Sequence, residues 1–513
     1  MEPPDINPPD TRPRPVIDKA VVAEARKFLT IALAEYRRLG VIPNLRRLNR
    51  WQRYEGPWPP WGAWFDITDR EATMAGFVAA LRAAYPVRFG EVTKFPYKDP
   101  EEYVRAFVSA VIAEGIIRQG RVAVRSRATT AMLHELHRAA TQEGQTFGVL
   151  WLIGEVDFRA IDREKVGGIT LLRPTNPPEF LVSRLLPGAL WAHDRGYPMP
   201  GAKHTGLLWA SGAGTGHHWD VSIPLNNGMG RFMQALRLAT AATSVERMVW
   251  LGEPSMIHVQ SQEAWPQAED GPIDSWWRRV ATLTPDHLPG LRRLTATMDR
   301  LEAPSVAKQK KGALPAIVIA IRRYSRSHRL ALWQDTVLEL ATALEACLGP
   351  SDKRQEIGLT LRTRAAHLLA HDDSEQAETI YRDLTDLYNM RSDIIHGNPE
   401  WTRTPEKLWT DRGYAHIFER DRTHVLLDRW RDIVRRAITA RLLLGDATLG
   451  DGALWPLSGE EPAVDRLLTR RDRRDEWRAR IVDGAAAYGL PLLADAAPPL
   501  IDYLHNDPDK AGG

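Results

Sequence analysis

The segment LTDLYNMRSDIIHGN, residues 384–398, places an arginine and a histidine five positions apart just before a glycine. A histidine changes charge near neutral pH and can move protons, and an arginine can hold an anion through its forked donors. The same residues could instead close a well-made helix and do nothing more. Spacing alone does not decide, because it recurs at Arg323 to His328, at Arg362 to His367 and at Arg391 to His396. Helical geometry has to choose among them.

Projected at about 100° per residue, Tyr381, Leu384, Leu387, Tyr388, Ile394 and Ile395 form one apolar stripe, with Arg391 in its middle. A guanidinium among leucines needs an acceptor, since an unpaired buried charge costs several kcal/mol. Asp386, Asn389, Ser392, Asp393 and His396 form a polar stripe, and Gly397 suits a left-handed helix cap. The plain reading pairs Arg391 internally with a carboxylate such as Glu339 or Glu345 and leaves His396 as a helix end.

The elements around this segment are mostly helical. Apolar residues at three- and four-residue spacing predict helices in VIDKAVVAEARKFLTIALAEYRRLG, DREATMAGFVAALRAAY and PEEYVRAFVSAVIAEGII, after a flexible proline-rich tail over residues 1–15. The intervening WQRYEGPWPPWGAWFD reads as an aromatic loop packed on its own domain. From about residue 146 short apolar runs alternate with turn residues, as in FGVLWLIGEVDF, VGGITLLRP, GLLWASG, WDVSIP and MVWLGEPSMIHVQ, which predicts strands. The expected organisation is a mainly helical region over 16–145, a strand-rich α+β domain over 146–303, a basic linker over 304–315, a helical bundle over 316–445 and an extension over 446–513. The fold class is thus an α+β N-terminal half followed by an all-α bundle. In the extension, the six arginines of LTRRDRRDEWRARIV are interleaved with acids and predict a solvated, ion-paired face.

Bulk properties narrow the function. The 513 residues call for more than one domain. A formal net charge of +3 predicts no general attraction to nucleic acid, so any such contact must come from a local patch. The single cysteine, Cys347, excludes an internal disulfide and reads as a small core residue in a reducing compartment. The N-terminus carries no secretory pattern, and no apolar run approaches the length that spans a bilayer, so a soluble cytoplasmic protein without membrane contact is expected.

SGAGTGHHWD invites thoughts of a phosphate cradle or a metal. WDVSIP reads on as a strand, so the glycines are expected to form a hairpin loop and open no helix. Adjacent histidines on an extended segment point to opposite faces, so no metal is expected there. No phosphate loop ending in Gly-Lys-Ser/Thr is present, nor a His-Glu-x-x-His or Gly-x-Ser-x-Gly motif.

ALEACLG on one helix, LRTRAAHLL on the next and LYNMRSDIIHG closing a third together resemble the ApeA-like branch of the HEPN superfamily, over roughly residues 314–445. VDFRAIDREKVGGITLLRPT followed by FMQALRLATA is more loosely similar to the mixed region found ahead of such domains. The resemblance implies a metal-independent endoribonuclease acting as a homodimer, with the signature helices of two subunits meeting at one cleft. Carried onto this chain, it makes His396 a general acid or base for attack of a ribose 2′-hydroxyl on the adjacent phosphate. Arg391 becomes the group that holds the phosphate and its developing charge. Superfamily members often carry an amide or acid directly after the arginine; here Ser392 stands there, with Asp393 next and Asn389 on the same polar stripe as supporting residues. The partners implied are RNA and a second copy of the chain, with neither cofactor nor metal. A regulated defence or toxin protein is one expectation, and a non-catalytic nucleotide- or RNA-binding or dimerisation module is the other.

Overall fold

The computed structural model describes residues 16–38, 70–89, scattered positions between 100 and 115, 122–141, 145–154, 156–157, 160–161, 163–172, 205–214, 218–240, 245–252, 281–302, 315–328, 330, 332–349, 356–370, 374–398, 408, 419–449, 452–457 and 462–490. The proline-rich tail, the tryptophan-rich segment 51–66 and the basic segment 304–314 lie outside the described residues.

Helix α1 (Lys19–Arg38) starts where Asp18 accepts backbone hydrogen bonds from Ala20 at 2.7 Å and Val21 at 3.2 Å, an aspartate N-cap. With α2 (Arg70–Ala84) and α3 (Arg127–Thr141) it buries a core centred on phenylalanines. The Phe28 and Phe77 rings lie 6.3 Å apart, and Phe77 meets Phe107 edge-on at 5.6 Å, a favoured aromatic geometry. Among the described residues this core shares no member with that of the rest of the chain.

The strand-rich stretch forms a five-stranded antiparallel sheet from β1 (Gln145–Gly154), β2 (Arg163–Val166), β3 (Ile169–Leu172), β4 (Thr205–Gly214) and β5 (Val245–Gly252), in the order β2-β3-β4-β1-β5. Val149, Trp151 and Ile153 alternate inward along β1, as the period of two requires. The β2–β3 hairpin turns through Gly167, whose φ of +59° suits the tight turns that match strand twist.

One expected strand is a helix. WDVSIP belongs to α4 (His218–Ala239) and β4 ends at Gly214, so a helix and not a strand follows the glycine-rich stretch, whose residues 215–217 lie outside the described residues. The longer apolar period decides it: Met229, Phe232, Met233 and Leu236 bury one helical face among the sheet's core residues, and the N-terminal turns extend from that anchored half. Pro224 is tolerated in the exposed early part of the helix.

After α5 (Leu288–Leu301) come the bundle helices α6 (Ala316–Ser327), α7 (Trp333–Leu348), α8 (Ile357–Leu369), α9 (Ser374–His396) and α10 (Glu419–Gly445). The described chain is mostly helical. The buried core runs unbroken from Val149 of the sheet through α4 and α5 into the bundle. The basic segment at 304–315 therefore marks a connection and does not separate two cores. Arginines tie this junction. Arg237 of α4 donates to the Ser325 hydroxyl at 2.5 Å, Arg435 of α10 donates to the Leu238 carbonyl of α4 at 3.4 Å, and within the bundle Arg431 donates to the Ser327 carbonyl at 3.0 Å. The last bond satisfies a carbonyl at the C-terminal end of α6, where the helix dipole favours a cation.

The extension folds back onto this body as α11 (Val464–Leu468) and α12 (Arg471–Tyr488). Trp455, Trp477 and Ile481 enter the common core. Gly290 in α5 is required by close approach, because a Cβ there would collide with the Tyr488 carbonyl. The outer face of α12 carries the expected ion pairs, including Arg473 with Glu476 at 2.7 Å. Cys347 is a core residue, and burial pushes its thiol up to about 12.

Candidate functional site

Helix α9 buries Ile380, Asp383, Leu384, Leu387 and Met390. This arc is rotated by about one-sixth of a turn from the stripe projected from apolar residues alone. Asp383 and Met390 are inside, whereas Ile395 is 50% exposed and Tyr388 only half-buried. Arg391 still projects within this arc, between Ile380 and Leu384, yet near the end of the helix it keeps 30% of its side chain exposed. The rotation has a polar cause: the Asp383 carboxylate faces Arg429 of α10, so an acid occupies a core-facing position.

The internal partner of Arg391 is Glu345 of α7, with Nη2 at 3.5 Å from Oε1. Glu339, the other acid considered, pairs with Arg323 at 3.0 Å. The Tyr388 hydroxyl donates to the same Glu345 oxygen at 2.5 Å, and the Arg391 guanidinium lies 5.6 Å from the Tyr388 ring centroid, within cation–π range. Burial first, then the Glu345 carboxylate, hold the Tyr388 hydroxyl protonated above the usual phenol range. Arg362 of α8 completes the cluster. It donates to the Gly358 carbonyl at 3.0 Å and to Thr385 at 3.2 Å, and stacks 5.2 Å from the Tyr381 ring centroid. The apolar projection counts Tyr381 and Tyr388 as stripe residues. Their phenol rings, close to three turns and one turn ahead of Arg391 respectively, are the signal in the sequence that this stripe also carries polar work.

His396 is exposed at the last helical position. Gly397 adopts φ +61°; its N–H bonds the Ile394 carbonyl at 3.3 Å, and the Asn398 N–H bonds the Asp393 carbonyl at 3.1 Å. This is the Schellman pattern of a left-handed cap, as the glycine predicts. The Asn398 side-chain amide also donates to Asp393 Oδ1 at 3.2 Å, so Asp393 helps to fix the helix end. Ser392 is half-buried and Asn389 exposed. Arg391 and His396 share the end of one helix but diverge around its axis by about 140°, so one copy of α9 does not aim both at a single point.

The other two pairs at this spacing are built differently. His328 is buried and meets Tyr324 edge-on at 4.9 Å. His367 is half-buried, and burial, followed by Arg474 and Arg478, favours its neutral form. Of the three, the pair on α9 alone combines a reachable arginine with an exposed histidine. His218 opens α4, and His217 lies outside the described residues. Among the described residues no group of three or more His, Cys, Asp or Glu side chains is placed to hold a metal ion, and no helix is long and apolar enough to cross a membrane. No family model matches this chain, and no curated protein or solved structure matches it.

Proposed function

We propose that residues 316–445 form an ApeA-like HEPN domain and that the chain is a metal-independent endoribonuclease acting as a homodimer. The observation that carries this reading is the end of α9, where a rigid cap holds His396 in solvent and Arg391 stands five residues away with a second cation, Arg362, behind it. Because Arg391 and His396 diverge on one helix, two copies of α9 facing each other supply the convergence that one copy lacks.

His396 takes the proton of a ribose 2′-hydroxyl, whose oxygen attacks the adjacent phosphorus. The bond from phosphorus to the 5′-oxygen breaks, and that oxygen is protonated by an imidazolium or by water, leaving a cyclic phosphate and a 5′-hydroxyl. Arg391 holds the phosphate and stabilises its additional negative charge. Asn389 and Ser392 lie beside this path, while Asp393 acts through the cap. Restraint by the N-terminal half, as in a defence or toxin protein, and a cytoplasmic setting belong to the same proposal. Incubation with RNA in chelator is expected to give fragments ending in cyclic phosphate, and His396→Ala to abolish them. Cleavage that survives the substitution removes His396 from the mechanism.

The ion pair between Arg391 and Glu345 favours a second reading, in which the bundle binds nucleotide or RNA, or dimerises, without chemistry. It predicts unchanged binding in His396→Ala and no turnover under any condition.

A further inference from the structure

Resting on the ribonuclease reading, we infer that Glu345 is a built-in competitor of the substrate: its carboxylate occupies Arg391 in the free protein and yields it to a phosphodiester of the bound RNA. The contrast with the tight, more buried ion pairs of the same body is the starting point; Arg326 and Glu339, also 3.5 Å apart, form another loose one. Arg364 grips Asp465 with two hydrogen bonds of 2.7 and 2.8 Å, the forked geometry of a strong structural pair. Arg429 meets Asp383 at 2.5 Å, and Arg435 meets Asp432 at 2.8 Å. Arg391 and Glu345 approach only to 3.5 Å, and both remain about a quarter or more exposed, at 30% and 26%.

Glu345 also has an anchor of its own. The Tyr388 hydroxyl donates to it at 2.5 Å, so the carboxylate keeps a donor when Arg391 moves away. Exchange of partners therefore leaves no group stranded, which is what makes a structural ion pair costly to break. The Arg391 guanidinium also lies over the Tyr388 ring, 5.6 Å from its centroid, a contact that does not depend on Glu345. A second guanidinium, Arg362, also acts on Tyr388, beside Arg391. A phosphate oxygen then takes the place of Oε1 at the guanidinium. Affinity for RNA is held down by the internal acid, and Tyr388 sets how firmly that acid stays in place.

Glu345→Gln retains an acceptor for the Tyr388 hydroxyl and removes the charge. The full chain, as wild type and variant, is titrated with a short fluorescent RNA whose 2′-hydroxyls are all methylated and which therefore cannot be cut. The variant is expected to bind about tenfold tighter, and the gain to vanish when Arg391→Ala is added. Where RNA binds both proteins, equal affinity, or a gain that persists without Arg391, overturns the inference. A parallel series of thermal melts in inorganic phosphate separates the competition from the ribonuclease reading. Phosphate-dependent stabilisation that needs Arg391 and grows in Glu345→Gln, with no RNA binding by either protein, upholds the competition and removes the ribonuclease reading. Tight RNA binding through Arg391 that ignores Glu345 keeps that reading and removes the competition.

Discussion

Arg429 Nε of α10 lies 2.5 Å from Oδ2 of Asp383, a carboxylate that is 3% exposed and sits about two helical turns ahead of Arg391. Removing Asp383 takes this acceptor from Arg429, a cation that is only 27% exposed. Asp383→Ala is expected to lower stability by about 3 kcal/mol in urea unfolding. Replacing both partners by apolar side chains of similar volume should recover most of that loss. A shift below about 1 kcal/mol for Asp383→Ala would show that water reaches Arg429 freely.

His396→Ala and Arg391→Ala are expected to separate stability from chemistry. His396 is exposed, so its removal should change stability by less than about 0.5 kcal/mol. The part-exposed pair of Arg391 with Glu345 is worth no more than about 1 kcal/mol. Thermal melts of both variants should therefore stay near the wild type while RNA cleavage is lost. A sharp drop in melting temperature for Arg391→Ala would mark it as a structural residue.

Gly397 has open space where a Cβ would stand, so the effect of Gly397→Ala arises from its φ of +61° alone. A left-handed alanine costs about 1 kcal/mol. The variant should remain folded by circular dichroism, with a cap that frays and a cleavage rate that falls with it. Gly397→Asn, which tolerates the left-handed region better, should restore part of both.

His367 gives the stability a pH dependence of definite sign. Burial, then Arg474 and Arg478, lower its folded-state value below the ordinary 6.5. A lowered histidine binds its proton more weakly when folded, so its contribution is complete above about pH 6.5 and declines as the pH falls toward the folded-state value. The melting temperature should drop on acidification through this range, and His367→Gln should flatten the drop. An unchanged slope in that variant would assign the acid sensitivity to other groups.

Much of the fold is legible in the sequence because helical periodicity is local. The glycine after His396 announces its cap, and the paired glycines after Val166 announce their hairpin. WDVSIP misleads because its short apolar run fits either a strand or a helix, and only the later anchor at Met229 and Phe232 decides between them. The burial of Asp383 is obscured for a related reason. An apolar projection cannot register that Asp383, an acid, faces the core because Arg429 from a helix far along the chain meets it there. Glu345 is legible as a possible partner, but Tyr388 as its anchor is not, because a tyrosine in an apolar stripe discloses its ring and conceals its hydroxyl.

The unbroken core that links the sheet to the bundle bears on how the molecule behaves when cut. A protease nick within 304–314 would sever the covalent thread while Arg237 still reaches Ser325 and the Tyr324 ring still packs beside α4. The two fragments should travel together through gel filtration as a complementing pair. Expressed separately, each would present a greasy wound where the other had been and would depend on its counterpart for solubility.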